Sequence, residues 1–288
     1  MKPSQTDAKL SAVILTYNEE KNIELCLQSL KGLASEIFVV DSGSTDRTLD
    51  IVKQRADKVY FHLFETHAKQ WNWALQNLPI NGDWILCLDA DQRLTPELRE
   101  EIQAALKNSS AGIDGYYLNR RQIFLNRWIR YGAYYPKYLL KLFRKGRGRS
   151  DENELLDFRF YVSGKTAKLR NDLIEDNQKD NDLKVWKAKH VHFAEIQAKE
   201  ESSRRKNGTG WSAKPNPAGT PDQQILFLKN VWYRTPLYLR SFLYFFYRYF
   251  LRLGFLDGKE GLIFHFYQGF WYRMLVDIRL SELRKGKK

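Results

Sequence analysis

Two carboxylates separated by one alanine, Asp89-Ala90-Asp91, directly follow the apolar run Trp84-Ile85-Leu86-Cys87-Leu88. Side chains at i and i+2 of an extended chain project to the same side, so the pair converges on one object if strand geometry persists through Ala90. That object should be positive. The triplet is short enough to recur by chance, and an aspartate at a strand end also serves as a turn or cap residue, so the pair must be weighed with its neighbours. Two other apolar runs end in polar clusters, Thr16-Tyr17-Asn18-Glu19 and Asp41-Ser42-Gly43-Ser44-Thr45-Asp46. His190 and His192 lie two apart in a stretch with helical pattern, on different faces, unlike the i, i+4 histidines of a helical metal site. They read as surface or packing residues. Cys26 and Cys87 are the only cysteines, one in a helical pattern and one within a strand, which suggests reduced core residues and no disulfide framework.

The elements that must position these clusters alternate along the first hundred residues. LSAVILTY (Leu10 to Tyr17) reads as a strand, and Ile23, Leu27 and Leu30 then recur at helical spacing. EIFVVD (Glu36 to Asp41) is a second strand, SGSTD a turn containing Gly43, and Thr48 to Arg55 a helix. KVYFHLF gives a third strand, His67 to Leu78 a helix, and DWILCL a fourth strand. Thr95 and Pro96 open the next helix as N-cap and first helical residue. Repeated strand-helix-strand units imply an α/β fold, a mostly parallel sheet with helices on both faces. Ligands of such sheets bind beyond the carboxyl ends of the strands, so the three polar clusters should meet at one edge. From about 110 to 195 the pattern is mixed, with strand-like YYLNR, YLLKLFR and FRFYVSG. Residues 205–223, rich in Gly, Pro and polar residues, read as a linker or mobile loop, and 224–288 as aromatic and basic amphipathic helices. No internal repeat is present.

A chain of 288 residues with 43% hydrophobic content can bury a sizeable core, which excludes a disordered protein. An excess of 47 Lys and Arg over 34 Asp and Glu gives a formal charge of +13, favouring anionic partners: nucleotides, phospholipid head groups or nucleic acid. The start, MKPSQTDAKL, lacks the apolar core of a secretory signal, which makes a cytoplasmic location the expectation. No stretch has the length of apolar residues needed for a membrane span.

Taken in order, ILTYNEEKNI, VVDSGSTDRT and DWILCLDADQRLTPEL resemble a family 2 glycosyltransferase with the GT-A fold, continuously over roughly residues 10 to 100. More loosely, the whole chain is similar to bacterial members that build lipopolysaccharide core and exopolysaccharide. The resemblance implies a Rossmann-like GT-A domain over 1–204, with a nucleotide-sugar half at about 8–110 and an acceptor half at about 111–204. It also implies a nucleotide-sugar donor, UDP-linked by family habit. Such a donor leaves as a diphosphate whose developing charge must be stabilised. Mg²⁺ or Mn²⁺ suits that task, because hard cations bridge carboxylate and phosphate oxygens. The family motif makes Asp91 the direct metal ligand and has Asp89 reach the ribose, or the metal through water. It puts Asp41 on the imide N–H of the base, the alternative being that Asp41 and Asp46 only cap the SGSTD turn. Thr16, Asn18 and Glu19 match the first nucleotide-contacting loop; alternatively, Asn18 or Glu19 starts the following helix. Lys69 corresponds to a position near the diphosphate, or is a solvated surface lysine.

Inversion at the anomeric carbon needs one in-line displacement, with a carboxylate removing the acceptor hydroxyl proton. In this fold the base lies downstream of the D-x-D, where two segments offer it: Glu152 to Arg159 and Leu173 to Asn177. Related enzymes carry an acidic residue followed by histidine where this chain reads DFRF, and a histidine near IEDN; this chain departs from both. Asp157 is the preferred base, with Glu154 second. Glu175 or Asp176 completes the metal shell in place of the histidine, or is itself the base.

Near the C-terminus, Arg240, Arg248 and Arg252 share a helical face among aromatics. Such helices lie in a membrane interface, rings among acyl chains and arginines on anionic head groups. The alternative is a hairpin packed on the catalytic domain or forming a homo-oligomer. The expectation is therefore a metal-dependent, inverting, hexosyltransferase-type enzyme at the inner face of the cytoplasmic membrane, acting on a lipid-linked saccharide or lipopolysaccharide-core acceptor. A nucleotide-sugar binding protein without catalysis is one alternative. A nucleic-acid-binding protein is another, disfavoured because strand-end carboxylates repel phosphate, so no nucleic-acid partner is expected.

Overall fold

Leu10–Thr16 (β1) is buried along its whole length, which explains why its sequence lacks apolar-polar alternation: both faces of the strand are covered. In the computed structural model, which describes residues 8–107, 112–208 and 210–285, β1 is followed by α1 (Ile23–Leu30), β2 (Glu36–Asp41), α2 (Thr48–Lys53), β3 (Lys58–Phe61) and α3 (His67–Asn77). Next come β4 (Trp84–Asp89), β5 (Gln92–Leu94) and α4 (Pro96–Lys107). The third strand stops at Phe61, short of the KVYFHLF run. On α1, Ile23, Cys26, Leu27 and Leu30 form the buried stripe that their spacing requires. Thr66 caps α3 by accepting from the Lys69 N–H, and the Thr95 hydroxyl accepts from the Leu98 N–H ahead of Pro96, as an N-cap should.

The remaining elements are β6 (Ile113–Phe124), β7 (Arg127–Trp128), β8 (Tyr138–Arg144), β9 (Gly148–Ser150), β10 (Phe160–Val162), β11 (Lys165–Glu175), α5 (Leu183–Asn207), α6 (Pro221–Arg234), α7 (Leu239–Phe246), α8 (Gly258–Phe264) and α9 (Tyr272–Lys285). Among the described residues the main sheet runs β3-β2-β1-β4-β8-β6-β11-β5, with β7 paired to the end of β6 and a separate β9-β10 ribbon. Strands β3, β2, β1 and β4 are mutually parallel, joined by helical crossovers, whereas β8 runs antiparallel to β4 and β6 antiparallel to β8. This is the GT-A arrangement, an α/β sheet with flanking helices, followed by a helical C-terminal region. One core cluster includes Ile14, Leu30, Val39, Leu86, Leu88 and Leu118, all almost fully enclosed.

The chain forms two compact units that interleave in sequence. One takes Met1–Arg121, Tyr138–Glu152 and Arg159–Gln178, and contains the strands described above except β7 and the last three residues of β6. The other takes Gln122–Lys137, Asn153–Phe158 and Lys179–Lys288 and is mainly helical. In the helical unit α5 packs along α9 around Ala194, Ala198, Tyr272, Val276 and Leu280. His190 is buried and stacks on Trp186 at 3.5 Å between ring centroids, a packing role as expected.

The expected placement of arginines on lipid head groups fails at two of three positions. Arg240 is fully enclosed, donating to Glu201 at 2.8 Å and to Asp277 at 2.7 Å. Arg248 is buried too, its Nε 2.6 Å from the Gly132 carbonyl and its guanidinium 3.8 Å from the Tyr134 ring. The carboxylates and ring that enclose these two arginines come from distant segments. Arg252 is exposed, together with Phe242, Phe246, Phe250 and Leu251. Among the described residues no helix is long and apolar enough to cross a membrane.

Candidate active site

Register brings the three strand ends together. Thr16 pairs with Asp41 across β1-β2, and Leu15 with Asp89 across β1-β4, so the polar clusters emerge side by side at the carboxyl edge of the parallel strands. The first two clusters are laced to each other. The Asn18 amide oxygen accepts from the Thr45 N–H (2.7 Å), the Asn18 N–H donates to Ser44 Oγ (2.8 Å), and the Glu19 N–H to Thr48 Oγ1 (2.7 Å). Asn18 reaches this arrangement at φ 52°, a left-handed conformation that asparagine tolerates better than most residues. Asp46 holds the turn through the Thr48 N–H (3.0 Å) and the Glu20 N–H (3.1 Å).

Asp41 is buried and accepts from the backbone N–H groups of Gly43 (2.8 Å) and Ser44 (2.9 Å) and from the Ser44 hydroxyl. The turn-capping bonds of the alternative reading are thus all formed. Two carboxylate oxygens offer about four acceptor positions, so Asp41 retains capacity for one further donor. Gly43, at φ +94°, occupies a conformation that side chains avoid. Beside Asp41, the Thr16 hydroxyl is buried with no hydrogen-bond partner among the described residues. A buried orphan hydroxyl costs free energy unless a ligand completes it. The Glu19 carboxylate accepts from the Asn22 side chain at 2.6 Å, and Asn22 in turn accepts from the Gln178 N–H at 2.9 Å.

The two carboxylates of the D-x-D live in different surroundings. Asp89 takes the Lys141 ammonium at 2.8 Å; burial pushes its pKa up, but Lys141, His67 and Arg120 together outweigh burial and hold it below the ordinary carboxylate range. Both aspartates act on the buried Cys26 thiol, whose pKa is raised first by burial, then by Asp91 and Asp89. The Asp89 N–H donates to the Gln92 side chain (3.1 Å), which donates to Glu175 (2.8 Å), and Glu175 also takes Arg120 at 2.8 Å. The Arg120 Nε is buried with no partner among the described residues. Asp176 pairs with Arg93 at 2.9 Å, and its N–H donates to the Asp91 carbonyl at 3.0 Å. Antiparallel pairing of β11 with β5, Glu175 opposite Gln92, brings these acids to the D-x-D.

The remaining candidates make other contacts. Lys69 is on the surface, its ammonium 2.5 Å from Glu65, which is the geometry of the surface reading. Asp157, 57% exposed and 3.5 Å from Lys229, and the fully buried Glu154 belong to the helical unit. Lys141, Gln92 and Arg120 escaped the sequence reading. One signal was available: a lysine in the middle of the apolar run YLLKLFR is anomalous for a buried strand.

Among the described residues no three His, Cys, Asp or Glu side chains converge on a metal position. The carboxylate oxygens of Asp89 and Asp91 could hold a hard cation such as Mg²⁺ or Mn²⁺, and an all-oxygen donor set does not suit a structural zinc.

The family model described as Glycosyl transferase family 2 matches residues 11–165, more than half of the chain. An uncharacterized glycosyltransferase of Rickettsia bellii is 40% identical over 95 residues, 33% of this chain and 32% of that protein. The lipopolysaccharide core biosynthesis glycosyltransferase LpsC of Rhizobium meliloti is 35% identical over 152 residues, 49% of this chain and 53% of that one. The chain thus spans about a third to about half of the length of these curated relatives. Among solved structures, residues 1–349 of TarS of S. aureus align over 96% of this chain and 92% of that chain at 19% identity and a TM-score of 0.43. Glucosyl-3-phosphoglycerate synthase from Mycobacterium tuberculosis, crystallised with Mn²⁺, UDP and glucosyl-3-phosphoglycerate, aligns over 40% of this chain and 44% of that chain at 24% identity and a TM-score of 0.34.

Proposed function

The chain belongs to glycosyl transferase family 2, and on that premise we propose that it is an inverting, metal-dependent enzyme moving a hexose from a UDP-linked donor to a lipid-linked saccharide or lipopolysaccharide-core acceptor at the cytoplasmic membrane face. The observation that carries the donor site is the row Thr16, Asp41 and Asp89 at one sheet edge, with an unsatisfied buried hydroxyl beside a carboxylate that still has acceptor capacity. Thr16 and Asp41 bind the nucleoside, and Asn18, Glu19 and Asp46 hold the loop that encloses it. Asp91 holds the cation and Asp89 faces the ribose. A divalent cation, when bound, supplies positive charge to the departing diphosphate.

The base is drawn from Glu175 and Asp176, because both sit beside the D-x-D, one through Gln92 and the other through the Asp91 carbonyl. That carboxylate takes the acceptor hydroxyl proton as the oxygen attacks the anomeric carbon and the diphosphate leaves with the bonding pair. A second reading, donor binding without catalysis, is favoured by one observation: both acids are engaged by arginine. The similarity to LpsC supports the lipopolysaccharide-core acceptor.

Calorimetric titration with UDP in Mn²⁺, repeated with EDTA and with Asp91→Ala, tests the donor site; binding should weaken at least about tenfold in both controls. UDP release from UDP-sugars by Glu154→Gln, Asp157→Asn, Glu175→Gln and Asp176→Asn variants tests the base. Turnover should fall by about 10²-fold or more, with UDP binding kept, at Glu175 or Asp176. Metal-independent binding of UDP, or none, sinks the donor assignment, and donor binding without turnover in the parent protein selects the second reading.

A further inference from the structure

A lysine on β8 is buried at 4% exposure, its ammonium 2.8 Å from Asp89 Oδ2 and 5.7 and 5.9 Å from the centroids of the Trp71 and Phe160 rings. Enclosing an ammonium costs several kcal/mol of desolvation, and a buried ion pair repays that poorly; apolar residues of the same volume often serve a fold as well or better. The flanking Leu140, Leu142 and Phe143 show that the strand otherwise follows the apolar rule. The one charge that breaks it lies on the first carboxylate of the D-x-D.

We infer that Lys141 is a positioning residue that withholds Asp89 from the cation and makes cation capture depend on the donor diphosphate. The inference rests on the donor-site reading above. Two aspartates unaided would present a charge of about −2 to a divalent ion and collect it from solution before any nucleotide arrived. With Lys141 on Asp89, that pair is neutral as a unit, and the ion draws its protein charge from Asp91. Its shell is then completed by phosphate oxygens, so cation and donor bind cooperatively. Lys141 also fixes one Asp89 oxygen, which leaves the other oriented for a hydroxyl donor such as a ribose.

Mn²⁺ binding read by electron paramagnetic resonance, with and without UDP, tests this without reference to turnover. The parent protein should bind Mn²⁺ at least about tenfold more tightly when UDP is present. Lys141→Gln should raise affinity for Mn²⁺ alone by about tenfold and shrink the effect of UDP, because Asp89 then joins Asp91 as a chelator. Lys141→Arg should resemble the parent, and Lys141→Gln combined with Asp89→Asn should lose the gain. A purely structural lysine predicts no such gain, so Lys141→Gln that is folded by circular dichroism yet binds Mn²⁺ as the parent does overturns the inference alone. Asp89→Asn gives a second reading that does not need the Lys141 variant to fold. Removing the Asp89 charge should leave affinity for Mn²⁺ alone within about threefold of the parent, because the ion draws on Asp91, and a loss of about tenfold or more counts against the proposal. If the parent binds no Mn²⁺ even with UDP, the metal assignment of the donor site falls, and this inference with it.

Discussion

Asp89 and Asp91 belong to one short motif but differ by what distant residues put beside them. Lys141 reaches Asp89 from β8, and Arg120 and Gln92 tie the same edge to Glu175. Thr16 poses the complementary case, a polar group that the fold has left without a partner among the described residues. Replacing a hydroxyl that makes no hydrogen bond by an isosteric methyl removes a desolvation cost, whereas losing a ligand's partner costs about 1 kcal/mol. Thr16→Val should therefore keep or raise the thermal midpoint and weaken UDP binding about fivefold, measured by differential scanning fluorimetry and calorimetry. A loss of stability with unchanged UDP affinity would contradict the role given to Thr16.

Helices of the C-terminal half enclose several polar residues. Arg240 joins Glu201 on α5 to Asp277 on α9, and His265 is fully enclosed with neither ring nitrogen hydrogen-bonded among the described residues. Burial, helped by the Arg248 charge, brings the His265 pKa down to about 4; burial also brings His190 down to about 4. The unfolded chain binds these protons near pH 6.5 and the folded chain only near 4, so stability rises with pH through that window and is lost as pH falls. The loss is on the order of 3 kcal/mol per histidine by pH 4. Urea unfolding of His265→Leu between pH 7 and 4.5 should show a shallower decline than the parent protein. An identical slope in both would mean that His265 is not neutral in the fold.

For the molecule as a whole, the largest anomaly is apolar surface. Phe242, Leu243, Phe246, Phe250, Leu251, Phe255 and Leu256 are all about half exposed, Leu251 reaching 64%, within the helical unit. Contiguous exposure of this kind marks a membrane or protein contact, and no helix among the described residues is built to span a bilayer. With Arg240 and Arg248 engaged internally, the membrane contact proposed for this enzyme would depend on ring insertion more than on head-group charge. Flotation with phosphatidylcholine vesicles should retain the protein at 0.5 M salt (about a 4 Å screening length), and Phe246→Ser with Leu251→Ser should reduce recovery several-fold. Release by salt alone would restore the electrostatic picture. A dimer in light scattering that the double variant dissociates would assign the face to a second copy.

Local pattern carried the first hundred residues of this protein. Strand and helix periods, Gly43 in its turn, Thr95 before Pro96 and three polar clusters after apolar runs are all short-range signals, and parallel strands leave their carboxyl ends one place to meet. Lys141, Arg120 and Gln92 could not be read that way. A lysine's partner lies 52 residues away at Asp89, and only strand order with its antiparallel register brings the two together. The arginines of the last helices show the same limit. A period of 3.6 residues per turn assigns them to one face, but Arg240 and Arg248 are buried and Arg252 exposed, because which elements pack there decides whether each meets solvent or a buried partner. Periodicity says which side chains share a face; long-range packing supplies what the face touches, because burial and charge pairing are properties of neighbours that are distant along the chain.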